Sequence, residues 1–260
     1  MVGSNNYFPC GAYIVAVPER QITFVGTNHH FKDLGRHLLL KRRLTGIFRN
    51  ASHIMVEGCA PFGAIEDSAI ENSDSVQSYA RSFCSPDKPL IESEAGVEYA
   101  SLYAPYGCKP HLLGAWVYLS AFNQIIYSCP GLSQNNNEKF NKILSKAVDN
   151  VLSHPTFKGI DFQQSCVVGY RMVELAAQKK PVWSAAIHFT DWFQSVRDYD
   201  IFMKRTEELA ALLGKKIFAI GAGHVDGLVE CLRGRPIPAP KTLDNFLSTL
   251  DPEIAACLTI

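Results

Sequence analysis

The chain has no excess of either charge: 25 Lys and Arg stand against 25 Asp and Glu in 260 residues. That balance removes the broad attraction that sequence-independent phosphate binding needs, so nucleic acid is not an expected partner. The eight cysteines include no Cys-x-x-Cys pair. Their scatter excludes a zinc knuckle and a small disulfide scaffold and fits buried thiols in a reducing compartment. The first ten residues lack both a basic start and an apolar stretch of signal-peptide length, so a cytoplasmic protein is expected. The most apolar later segment, 111–129, carries His111, Ser120, Asn123, Gln124 and Ser128, too much polarity for a membrane span. What remains is an ordinary soluble composition, 47% hydrophobic and 19% charged, in a chain long enough to bury a large core.

Two β-branched and aromatic runs, 12–17 and 21–26, flank Pro18-Glu19-Arg20, the pattern of a hairpin. Leu40, Leu44, Ile47 and Phe48 recur at helical spacing over 33–49, with Asp33 available as a cap. The basic run Lys41-Arg42-Arg43 within that helix reads as a solvated face. A buried strand is expected over 53–57, weak helix over 65–83, and a loop around Pro86 and Pro89. Helix is expected over 94–104, strand over 110–113 and helix over 116–127, followed by a loop at 131–137. Then come helices over 140–151, 161–179 and 192–213, the last stopped by Gly214. Strand returns at 216–221, with helices at 224–232 and 243–250. The expected fold is α/β: one layered domain over 1–240 with a central mixed sheet, an N-terminal hairpin and a helical insert at about 114–195, then a helical tail over 241–260.

The strongest internal signal is a repeat. Ile22-Thr23-Phe24-Val25-Gly26-Thr27-Asn28-His29 and Ile217-Phe218-Ala219-Ile220-Gly221-Ala222-Gly223-His224 both read as strand, glycine and a histidine three residues on. A glycine at a strand end permits a tight turn, and the side chain beyond it projects over the carboxyl edge, where α/β folds bind ligands. If the strands are neighbours, His29 and His224 share one cleft and offer two imidazole nitrogens to a metal. Each histidine alone equally suits a helix cap. Glu57 ends the strand at 53–57, and a carboxylate there either reaches solvent as an ordinary strand-end residue or has a metal or a cation beside it. Glu92, Glu94 and Glu98 sit where helix dipoles favour acids. Arg197-Asp198 reads as the start of the helix before the last strand: a surface arginine beside a capping Asp198, or else an arginine that holds a substrate carboxylate or orients a metal-binding acid. His30, His37, His53, His111, His154 and His188 lack such a context and read as structural.

These segments have a family likeness. Phe24-Val25-Gly26-Thr27-Asn28-His29 resembles the opening Gly-Thr-x-His motif of the TraB/PrgY/GumN family, and Met55-Val56-Glu57-Gly58-Cys59 resembles its Val-Glu-Leu-Cys strand end. Residues 94–107 are similar to its third block, which opens on a glutamate. Arg197-Asp198-Tyr199-Asp200-Ile201-Phe202-Met203 looks like its Arg-Asp-x-x-x-Met helix start. Ala219-Ile220-Gly221-Ala222-Gly223-His224-Val225-Asp226-Gly227-Leu228 resembles its terminal Gly-Ala-Gly-His block. The family includes Tiki-type metalloproteases and is related to erythromycin-esterase and ChaN-like proteins. The resemblance implies a divalent metal ion, Mn, Co or Zn, held by His29, His224 and Glu57. It also implies catalytic roles for Glu57, Glu94 and Arg197 in hydrolysis.

The expected function is therefore metal-dependent hydrolysis, with a peptide or small ester as substrate and a homodimer as the assembly. Two alternatives stay open. One is a non-enzymatic regulatory or binding protein on the same fold. The other is a metal-free esterase in which a histidine activates water directly.

Overall fold

Secondary structure alternates from the start of the chain. In a computed structural model, which describes residues 6–7, 12–27, 34–57, 76–128, 137–178, 181–250, 252 and 255, the order opens β1 (Asn6–Tyr7), β2 (Tyr13–Val17), β3 (Ile22–Thr27), α1 (Leu38–Arg49), β4 (His53–Val56), α2 (Val76–Arg81) and β5 (Leu90–Glu92). It continues α3 (Tyr99–Tyr103), α4 (Pro110–Ser128), α5 (Asn137–Leu152), α6 (Phe162–Gln178) and α7 (Pro181–Arg197). After a π-helical stretch, Asp198–Phe202, come α8 (Met203–Ala211), β6 (Lys216–Gly221), α9 (Ala222–Leu232) and α10 (Leu243–Leu247).

The chain divides into two compact units. The first takes the described residues up to 57 together with 76–95 and 197–239; the second takes 96–196 and the residues from 240 onward. The expected insert, 114–195, and the expected tail, 241–260, both fall in the second.

The first unit is a mixed six-stranded sheet ordered β1-β2-β3-β6-β4-β5. β2 and β3 pair antiparallel around the turn at Pro18–Arg20, where Gln21 takes φ 52°. From β3 onward every pairing is parallel. β6 lies between β3 and β4, and all six of its residues, Lys-Ile-Phe-Ala-Ile-Gly, are buried. A central parallel strand covered on both faces needs such an unbroken apolar run. Leu40, Leu44 and Phe48 of α1 pack on one face against Ile14, Val25, Ile54 and Ala219. Elsewhere in the unit Phe218 meets Phe24 at a tilt and Phe202 edge-on, at centroid distances of 6.0 and 6.3 Å.

Gly26 has a packing reason. A Cβ there would lie 2.8 Å from the ring of Tyr13 and 3.1 Å from Val225. The bare backbone lets Tyr13 cross β3 and donate its hydroxyl to the carbonyl of Ala222, 2.8 Å away, in the first turn of α9. The glycine of the first Gly-x-x-His segment thus locks the strand to the helix that follows the second.

The second unit is helical. Its core gathers Tyr99, Tyr103, Trp116, Phe157, Phe189 and Phe193, with Trp116 stacked on Phe193 at 4.8 Å. Trp192 donates its indole N–H to the carbonyl of Lys241 at 2.9 Å. The α4–α6 contact is close on both sides: Gly114 faces Ser165, and a Cβ on Gly169 would lie 2.5 Å from Tyr118. No helix among the described residues is long and apolar enough to cross a membrane.

Three sequence expectations are corrected. Residues 110–113 open α4 instead of forming a strand. Pro110 takes the first helical position, where its fixed φ is favourable and its missing N–H costs nothing. Glu94 does not start a helix: it lies in a turn after β5, Gly96 takes φ 76°, and helix begins only at Tyr99. Arg197 ends α7 instead of opening a helix, because helical structure is already established from Pro181. The candidate ligand His29, the cap Asp33, Gly58 and Cys59, the loop at 131–136 and most of the weak helix at 65–83 lie outside the described residues.

Cys84, Cys108, Cys166 and Cys231 are free thiols, but of the four only Cys108 is buried and the other three are half-buried, where scattered cysteines are expected to be buried. Burial pushes Cys108 up to about 12. Its thiolate fraction near neutral pH is then on the order of a thousandfold below that of an unshifted thiol. Among these four, Cys108 is expected to be the last alkylated by iodoacetamide in the folded protein at pH 8, read by peptide mass mapping. Labelling of Cys108 as fast as Cys231 would contradict its burial.

Candidate functional site

The strand ends converge at one edge of the first unit's sheet. Thr27 of β3 is paired with Gly221 of β6, and Val56 of β4 with Ala219 of β6 and Glu92 of β5. The carboxyl ends of β3, β4, β5 and β6 therefore lie along a single edge, the place where parallel α/β sheets bind ligands. Glu57, Glu94 and His224 are all delivered there by register.

Glu57 is the first residue past β4. Its backbone N–H donates to the carbonyl of Ala219 at 2.9 Å, which fixes the side chain toward β6. Its Oε2 accepts from the N–H of Gly221 at 2.6 Å, and its Oε1 from Nη2 of Arg197 at 2.9 Å. Arg197 also donates from Nε to Oε1 of Glu94 at 2.8 Å. One guanidinium thus ties two carboxylates from separate strand ends. All three side chains are buried: 1% exposed for Glu57, 3% for Glu94 and 7% for Arg197. Charges so far from water persist only when paired and hydrogen-bonded, and Arg supplies the fixed donor fork this requires.

His224, 2% exposed, sits in the first turn of α9. Its Nδ1 lies 2.5 Å from Oδ1 of Asp198, and its Nε2 lies 3.8 Å from Oε1 of Glu57. Facing a carboxylate, Nδ1 is the donor to Asp198, and Nε2 is the ring nitrogen on the Glu57 side. Phe202 packs against both groups: the Arg197 guanidinium lies over its ring at 4.9 Å and the His224 ring meets it edge-on at 4.9 Å. The π-helical stretch Asp198–Phe202 therefore carries one direct partner of His224 and the aromatic plate beneath it. Single π turns inside helices recur at functional sites.

Of the residues singled out in the sequence, Glu57, Glu94, Arg197 and His224 come together; His29 is outside the described residues. Asp198 is the residue that sequence reading missed as a site member. It was visible only as the neighbour of Arg197, and its partner lies 26 positions away. With its side chain 21% exposed, Asp198 is also the most solvent-accessible group of the cluster. No known protein family, no curated protein and no solved structure matches this chain.

Among the described residues no group of three or more His, Cys, Asp or Glu side chains is gathered closely enough to hold a metal ion, and His29 lies outside them. The cluster, among the described residues, has two carboxylates, Glu57 and Glu94, on one guanidinium and a third, Asp198, on the imidazole of His224. Oε1 of Glu57 accepts from Arg197 and Oε2 from the Gly221 N–H. An imidazole nitrogen and a carboxylate oxygen facing each other are the ligand types that Zn, Mn and Co accept.

Proposed function

We propose that the chain is a metal-dependent hydrolase of the TraB/PrgY/GumN type, acting on a peptide or small ester. The observation that carries this reading is the aligned row Asp198, His224, Glu57, in which an outer carboxylate orients an imidazole toward an inner carboxylate. His224 and Glu57, with His29 as the third ligand, would hold the ion. Such an ion lowers the pKa of bound water and polarises a carbonyl.

The chain's own groups have separate tasks. Asp198 keeps the proton of His224 on Nδ1, so that Nε2 stays a donor of electron density. Gly221 N–H and Arg197 fix the Glu57 carboxylate, which is then placed to accept a proton from water attacking a carbonyl. Both oxygens of Glu57 being anchored, that carboxylate needs little reorganisation during the reaction. Glu94 holds the far side of Arg197, and so positions Glu57 at one remove. Because Arg197 already serves two acids, its role in this scheme is to steady Glu57, not to bind an oxyanion.

Metal content of the purified full chain tests the proposal, together with thermal stability in Mn, Co or Zn. One bound ion per chain is expected. At a hundredfold excess over Kd the chosen metal should stabilise the protein by about 2.7 kcal/mol, and His224→Ala should abolish the effect. No bound ion and no stabilisation by any of the three would overturn it. Asp198→Asn is expected to weaken metal affinity by roughly 10- to 100-fold while leaving the fold intact, as loss of an outer carboxylate does. Unchanged affinity in that variant would remove Asp198 from the scheme.

The same Asp198–His224 pair also suits direct activation of water without metal. Ester hydrolysis that survives a chelator but not His224→Ala would select that reading.

A further inference from the structure

The exposed side of α1 combines features that the site does not use. Residues 34–56 contain Arg36, Lys41, Arg42, Arg43 and Arg49 and no Asp or Glu, in a chain whose charges balance as a whole. At about 100° per residue, Leu38, Leu39, Arg42, Arg43, Gly46 and Arg49 fall within one arc of about 140°. All six are exposed, while Leu40, Leu44 and Phe48 are buried beneath them. Leu38 and Leu39 are 73% and 81% exposed, the first two residues of the helix and side by side. Two adjacent leucines in water beside three arginines are unexpected on a purely solvated face, where a lone exposed leucine would be unremarkable.

We propose that this face of α1 docks on an anionic bilayer surface. Arg42 and Arg49 supply the charge complement to acidic headgroups, and the two leucines enter the boundary between headgroups and acyl chains. The leucines decide the occupant. A polyphosphate backbone attracts the arginines but offers exposed leucines nothing, whereas a lipid interface takes both. The binding is peripheral and reversible, and it does not depend on the hydrolytic reading.

Flotation of the full chain with vesicles tests it. The protein should float with phosphatidylcholine vesicles containing one-third phosphatidylserine and bind roughly tenfold or more weakly to pure phosphatidylcholine. Added salt should release it, because the arginines act across screened distances. Leu38→Ser with Leu39→Ser should weaken binding to the anionic vesicles by roughly tenfold or more with an unchanged circular-dichroism melt, since neither side chain is in the core. Arg42→Glu with Arg49→Glu provides a second variant and should lose the preference for anionic lipid. The proposal is overturned if the chain ignores anionic vesicles, or if the leucine variant binds them as wild type does. It is equally overturned if the leucine variant's effect is to dissociate a dimer seen by sedimentation, or if duplex DNA binds the chain while vesicles do not.

Discussion

Arg197→Met is expected to lower the stability of the protein by about 3–5 kcal/mol, the cost of removing one partner from a buried ion pair. The guanidinium is the shared donor to Glu57 and Glu94, all three nearly sealed from water. Methionine approximates its volume but leaves two carboxylates without their common cation. Most of the loss is therefore the penalty of stranded charge, which a further change can reveal. Adding Glu94→Leu should recover part of it, because one stranded acid is gone while Glu57 keeps the Gly221 N–H. Arg197→Lys should fall between, since a single ammonium cannot reproduce the fork that reaches both acids. Urea unfolding followed by circular dichroism measures each variant. A loss under about 1 kcal/mol for Arg197→Met would mean that the network is solvated and that its burial has been misjudged.

Gly114→Ala is the second large effect, and its sign runs against helix propensity. Inside a helix alanine is favoured over glycine by about 1 kcal/mol. Here the added Cβ would overlap the hydroxyl and Cβ of Ser165 on the facing helix α6. The Ser165 hydroxyl is itself held by a hydrogen bond to the carbonyl of Asp161, so it cannot easily turn away. Overpacking of this kind costs about 1–3 kcal/mol and sometimes more, enough to outweigh the propensity gain. The net expectation is a clear fall in Tm. Combining Gly114→Ala with Ser165→Gly should relieve the clash, so the pair should lose less than the two single changes added together. Additive losses would show that the helices separate without resistance.

Much of the site's edge was legible because its signals are local. The run Lys216–Gly221 is an apolar strand ended by glycine, and it is a strand with those bounds. Glu57 stood out as an acid at the end of an apolar strand, and burial with a cation beside it is one of the two states open to such a residue. The mixed α/β class followed from the alternation of these elements. What could not be read was pairing across long separations. Arg197 meets Glu94 and Glu57 across 103 and 140 positions, and no spacing rule reaches so far. Asp198 was hidden for a related reason: it looked like a cap at a helix start, whereas the helix was already running when it arrived. β5 was obscured by its brevity, three residues between Pro89 and the turn at Glu94, too short to show alternation. At 110–113 the leucines suggested strand, and only the continuing burial of 115–119 identifies a core helix.

The position of β6 has a bearing on how the chain is made. It is last in sequence among the strands yet occupies the middle of the sheet, with β3 on one side and β4 on the other. During synthesis both neighbours emerge long before it, each with an open row of backbone donors and acceptors. Until residues 216–221 leave the ribosome, the two halves of the sheet have no common strand. Such edges are the surfaces on which nascent chains associate wrongly. Closure of the sheet and assembly of the site are then one late event, because the strand that joins the halves also brings the Gly221 amide and His224 to Glu57.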